Sequence, residues 1–71
     1  MSVNVSAPMV GKLISVDVKT GDKVKKDDAI ASLEAMKMVV KVFAPADGVV
    51  KEIIASPGDV VNPETPIMTL E

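Results

Sequence analysis

In the stretch Glu34-Ala35-Met36-Lys37-Met38, one lysine stands between two methionines near the middle of a 71-residue chain, where the chain is expected to reverse direction. An exposed amine beside an adaptable thioether suits docking to another protein, because loop positions seldom carry an unbranched apolar side chain such as Met36. Little other chemistry is available. The chain contains no Cys and no His, which excludes a thiol nucleophile, a histidine base, a hydrolytic triad and a zinc-finger type of metal site. Its carboxylates fall in turns and beside lysines, as in Lys25-Lys26-Asp27-Asp28. Independent catalysis is not expected.

Charge and composition exclude further classes. The formal net charge is −2, every basic residue is a lysine and Phe43 is the sole aromatic, so the arginine forks and stacking platforms used by nucleic-acid readers are missing. The Lys23, Lys25 and Lys26 cluster runs straight into Asp27 and Asp28 and reads as a solvated turn. No positive charge precedes Lys12 and no apolar run is long enough to span a bilayer, so neither a signal peptide nor a membrane span is expected. A soluble, cytoplasmic protein follows, and the absence of cysteine suits a reducing compartment.

Elements able to position the lysine emerge from an internal repeat. With an offset of 37, residues 7–34 align without a gap on residues 44–71, and nine of the 28 positions are identical. The recurring residues are Ala-Pro, Gly11/Gly48 and Gly-Asp, read as turn residues, and apolar positions such as Val24/Val61, Ile30/Ile67 and Leu33/Leu70. Val and Ile dominate and Gly or Pro punctuates every eight to twelve residues, a pattern of strands rather than helices. The spacing predicts strands near 2–6, 11–18, 23–25, 29–35, 38–44, 48–55, 60–62 and 66–70. A few short strands cannot close a core alone, so the two copies are expected to pack face to face as a small sandwich or flattened barrel with an approximate two-fold axis.

The register around Lys37 can be derived. If only Met36 and Lys37 form the loop, the cross-strand partners are Ala35/Met38, Glu34/Val39, Leu33/Val40, Ser32/Lys41 and Ala31/Val42. One face then collects Ala31, Leu33, Ala35, Met38, Val40 and Val42, all apolar, and the other collects Ser32, Glu34, Val39 and Lys41. A three-residue loop would mix both faces. Lys37 is thereby placed at the tip of a tight hairpin with its amine in water. Two-residue hairpin loops favour Asn-Gly or Gly-X, and a non-glycine residue at positive φ costs about 1 kcal/mol or more. A local rule broken at an exposed point makes use of that point the first thing to suspect, set against two plain alternatives: a turn lysine that serves solubility, and a core position for Met38 on the apolar face.

Glu34-Ala35-Met36-Lys37-Met38 resembles the attachment site of the biotinyl domain, the biotin carboxyl carrier family. The likeness extends over nearly the whole chain, through Ala7-Pro8, Gly11, Gly21-Asp22, Ala44-Pro45, Asp47-Gly48 and Gly58-Asp59. It implies an all-β fold: a flattened barrel (barrel-sandwich hybrid) of two four-stranded antiparallel sheets with internal pseudo-two-fold symmetry, here a single domain spanning 1–71. It further implies that a biotin protein ligase, using biotinyl-AMP, joins biotin through an amide to Lys37, and that Glu34, Ala35, Met36 and Met38 are what the ligase recognises. An ε-amine is the side-chain nucleophile that yields a stable amide, and the ligase must assist its deprotonation because an ordinary lysine is protonated near neutral pH. Once attached, biotin would carry a carboxyl group between the active sites of biotin carboxylase and carboxyltransferase or decarboxylase subunits, the domain itself acting as a monomeric, non-catalytic carrier. The chain departs from many relatives in having Val39 where Glu follows the second Met, and in the Lys25-Lys26-Asp27-Asp28 turn, where many have Gly near Asp27. There is no room between the opening strands for the thumb of some acetyl-CoA carboxylase carriers, which points to the thumbless branch of decarboxylase-type and other carboxylases.

Two alternatives share the fold. Lipoyl domains also modify a hairpin lysine, but theirs typically follows Asp and precedes Ala or Val, whereas Lys37 has Met on both sides. An unmodified barrel-sandwich adaptor module would use the symmetric scaffold and leave the methionines unexplained. The chain could be free-standing or a domain of a longer subunit.

Overall fold

A computed structural model of the chain describes residues 2–71. Among them are eight strands: β1 (Val3–Ser6), β2 (Gly11–Val16), β3 (Lys23–Val24), β4 (Ala29–Ala35), β5 (Met38–Phe43), β6 (Gly48–Ile53), β7 (Val60–Val61) and β8 (Pro66–Leu70). No helix among the described residues is long and apolar enough to cross a membrane. The β-branched residues that predicted strands occupy them, and the Gly and Pro residues lie mainly between them.

The strands form two antiparallel four-stranded sheets, ordered β1-β8-β6-β3 and β5-β4-β2-β7. Adding 37 to the residue numbers of β1, β2 and β3 gives β5, β6 and β7 or a part of them, and β4 likewise overlays β8. One sheet is thus the image of the other, and the repeat extends to β1 and β5, beyond the 28 aligned positions. The irregularities repeat too: Ile14 in β2 and Lys51 in β6 are each skipped by the pairing with the neighbouring strand, as are Ile30 in β4 and Ile67 in β8.

The expectation that the two copies stack face to face is corrected here. Each sheet takes two strands from each copy, so the halves interleave instead of forming one layer apiece. The reason lies in the Gly-Asp turns, which bond to the other copy. The Gly21 amide donates to the Val50 carbonyl (2.8 Å) and the Val50 amide to the Asp22 carbonyl (2.9 Å). In the mirror arrangement Gly58 donates to Leu13 (2.8 Å) and Leu13 to Asp59 (2.8 Å). Each turn also closes on its own aspartate, with the Lys19 amide donating to Asp22 Oδ2 and the Ser56 amide to Asp59 Oδ2, both at 2.9 Å. Gly21 and Gly58 hold φ of 95° and 99°, a region open to glycine at little cost.

Between the sheets lies a core filled by the repeated apolar positions, with Leu13/Val50, Val24/Val61, Ile30/Ile67 and Leu33/Leu70 all buried. Burying each such side chain contributes about 1.5–3 kcal/mol. The strands expected at 11–18 and 48–55 end earlier, at Val16 and Ile53. After β6 the amides of Ile54 and Ala55 both donate to the Ile67 carbonyl (2.8 and 3.0 Å), so the even ladder spacing is lost.

Candidate functional site

Strands β4 and β5 pair in the derived register, Ala35 with Met38, Glu34 with Val39, Leu33 with Val40, Ser32 with Lys41 and Ala31 with Val42. Met36 and Lys37 alone form the loop. Their φ values, 53° and 64°, are both positive, which identifies a type I′ turn, the geometry whose twist matches the flanking strands. Neither residue is a glycine or asparagine, so both occupy the left-handed region against their steric preference. The tight turn leaves no slack in the ribbon that carries the amine.

Each residue of the motif has a defined place. Lys37 is exposed at the apex, and Met36 beside it is 91% exposed. Glu34 points out from the sheet into solvent. Ala35 is buried on the inner face, opposite Met38. Met38 shares the inner face with Leu33 and Val40 by its register, yet it is 67% exposed because it occupies the last rung, beyond which the opposite sheet no longer covers it. The plain alternative of a core position for Met38 is corrected accordingly. Ser32 departs in the other direction: it lies on the outer face but is buried, since it sits mid-sheet between Lys41 of β5 and Ser15 of β2.

The hairpin lies at the opposite end of the molecule from Val3 and Glu71. Val49 and Glu71 bond to each other in both directions (2.9 and 2.8 Å), and Val49 pairs with Lys23 of β3. From the turn after β3, β4 runs seven residues away to reach Met36. At about 3.3 Å per residue that is most of the 33 Å long axis.

Sequence reasoning missed two neighbours of the motif. Gly11 opens β2, where the expected strand begins, and its role there is clearance and not a turn. A Cβ there would lie 2.6 Å from the Glu34 carbonyl oxygen and 2.6 Å from Leu33 Cδ1. The second is a row across the sheet, Val39–Glu34–Lys12–Val60, whose members are cross-strand partners and all face solvent. Val39 and Val60 are 64% and 75% exposed and flank Glu34 and Lys12, cross-strand partners of opposite charge. The repeat held the signal for Gly11, since Gly48 recurs at the matching position, where the same Cβ would meet Glu71 O at 3.2 Å. Nothing local marks the row, which exists only once β7 is placed beside β2.

The turn at Lys25-Lys26-Asp27-Asp28 is solvent-exposed, in line with its reading as a solvated turn. Asp27 holds φ of 74°, a region open to glycine at little cost and to aspartate only at some. The Lys25 amide donates to Asp28 Oδ2 (2.9 Å) and the Lys26 amide to Asp47 Oδ1 (2.7 Å).

Residues 3–70 match the biotin/lipoyl family, described as "Biotin-requiring enzyme". The chain is 43% identical over 60 residues to the biotin/lipoyl attachment protein of Bacillus subtilis, covering 84% of this chain and 82% of that protein. It is 42% identical over 65 residues to methylcrotonoyl-CoA carboxylase subunit alpha, mitochondrial, of Rattus norvegicus, covering 92% of this chain and 9% of that subunit. Among solved structures, the lipoyl domain of the 2-oxoglutarate dehydrogenase complex from Azotobacter vinelandii superposes with a TM-score of 0.78 at 32% identity, covering 97% of this chain and 95% of that domain.

Proposed function

This chain belongs to the biotin/lipoyl family of biotin-requiring enzymes, and on that premise we propose that it is a biotin carboxyl carrier whose Lys37 is the covalent attachment point. One observation carries the assignment of the residue. Lys37 sits at the apex of a two-residue hairpin in the register Ala35/Met38, flanked by two exposed methionines. The fit to a tethered group is geometric: the amine projects from the most outlying rung of a tightly paired ribbon, at the end remote from Val3 and Glu71.

Residues of this chain divide the work. Lys37 offers the nucleophilic amine and, after amide formation, the flexible arm. The type I′ turn holds that arm at a fixed point, so its sweep is set by the side chain and not by loop motion. Met36 and Met38 present apolar surface on both sides of the amine, and exposed Glu34 adds a charge one rung below; together these are the features for a biotin protein ligase to recognise. Buried Ala35 gives the hairpin its shape. When bound, biotin supplies the carboxyl-transfer chemistry through its ureido ring. The domain contributes reach and effective concentration at two partner active sites.

The partners proposed are the ligase, a biotin carboxylase and a carboxyltransferase or decarboxylase subunit, with residues 1–71 acting as one monomeric, non-catalytic attachment domain. The name of the rat relative supports a carboxylase assembly. The lipoyl reading is not favoured. The shared fold accommodates both groups, and the two methionines flanking Lys37 separate them.

Co-expression of the chain with a biotin protein ligase, and separately with a lipoate ligase, tests the proposal by intact mass and streptavidin blot. One biotin is expected per chain with the first enzyme, none with the second, and none on Lys37→Arg with either. Lipoylation, or biotin on a lysine other than Lys37, overturns it.

A further inference from the structure

The four methionines among the described residues fall into separate environments. Met68 is fully buried in the core, Met9 is 41% exposed, and Met38 and Met36, on either side of Lys37, are 67% and 91% exposed. We propose that Met36 and Met38 form a sulfoxidation site that controls the loading of Lys37; this rests on the carrier reading above.

Thioether oxidation follows access, and these two sulfur atoms are carried on the most open methionine side chains described. The oxidant is a hydroperoxide. Its O–O bond breaks, one oxygen forms an S–O bond as sulfur gives up two electrons, and the other oxygen leaves as water or alcohol. The product is a polar, chiral sulfoxide in place of an apolar, adaptable thioether. Neither side chain supports the fold, since Met36 is in the loop and Met38 occupies the uncovered last rung. Oxidation therefore leaves the sandwich intact and changes only the surface around the amine. The positions are i−1 and i+1 to Lys37 in a turn without slack, so an enzyme approaching the amine meets at least one of them. A ligase that reads apolar surface there loses it on oxidation. Methionine sulfoxide reductases, drawing on a dithiol, reverse the change.

The test uses the unloaded chain treated with hydrogen peroxide, peptide mapping of Met9, Met36, Met38 and Met68, and ligation rates with biotin protein ligase. Met36 is expected to oxidise first, Met38 next, and Met68 to stay reduced while the chain is folded. Loading kcat/KM is expected to fall about ten-fold, with the thermal midpoint unchanged and the rate restored by the reductases. In the double variant Met36→Leu, Met38→Leu, peroxide is expected to leave loading at that variant's own untreated rate. The inference is overturned if treated wild type loads like untreated, if the leucine variant loses as much on treatment as wild type, or if Met68 oxidises as fast as Met36. If untreated wild type is not loaded at all, the carrier reading itself fails and takes this inference with it; a loss confined to the treated sample separates the two.

Discussion

Gly11 faces Glu34 across a gap with no room for a Cβ: an atom there would stand 2.6 Å from the Glu34 carbonyl oxygen. The base of the lysine hairpin is therefore packed closely on β2, with Leu33 Cδ1 also 2.6 Å from that point. The matching pair in the other half is looser, with 3.2 Å from Gly48 to Glu71. Gly11→Ala is expected to cost about 2–3 kcal/mol through forced displacement of β4, and Gly48→Ala about 1 kcal/mol or less. Urea denaturation of both variants checks the difference, and equal losses would contradict it.

Lys37→Arg should abolish biotin labelling while changing stability by less than about 0.5 kcal/mol, since the residue is exposed and the charge is retained. A streptavidin blot and a thermal melt on the same preparation read both quantities.

Stability and presentation are opposed at the turn. Met36 and Lys37 hold φ of 53° and 64°, positions where Asn and Gly are favoured. Replacing them together, Met36→Asn with Lys37→Gly, is expected to stabilise the fold by about 1–2 kcal/mol and to eliminate labelling. A variant no more stable than wild type would show that the hairpin bears no strain.

Gly21 and Gly58 have positive φ and open space around the position of a Cβ, with no atom within 4 Å. Alanine at either site should therefore cost only the backbone term, about 1–2 kcal/mol each, with nearly equal values at the two symmetric turns. Labelling should follow stability and show no separate defect.

Asp27 offers the reverse case, a non-glycine residue at φ of 74°. Asp27→Gly is expected to raise stability by up to about 1 kcal/mol in a thermal or urea melt, offset in part by the freedom glycine adds to the unfolded chain. The turn lies at the opposite end of β4 from Lys37, so labelling should not change.

Much of the site was legible in the residues themselves. The β4–β5 register follows from alternation with period two across a two-residue loop, an arrangement decided by neighbours in the chain, and every predicted pair from Ala35/Met38 to Ala31/Val42 is present. The repeat likewise marked the core positions and both Gly-Asp turns, because turn chemistry and burial leave their imprint residue by residue. Tertiary structure alone decided that the copies interleave, that Gly11 provides clearance, that Ser32 is covered, and that Met38 is left bare at the last rung. Those outcomes depend on which strands become neighbours through contacts such as Gly21 to Val50 and Gly58 to Leu13. Such partners lie far apart along the chain, so no local pattern contains them, and only closure of both sheets around one core selects them.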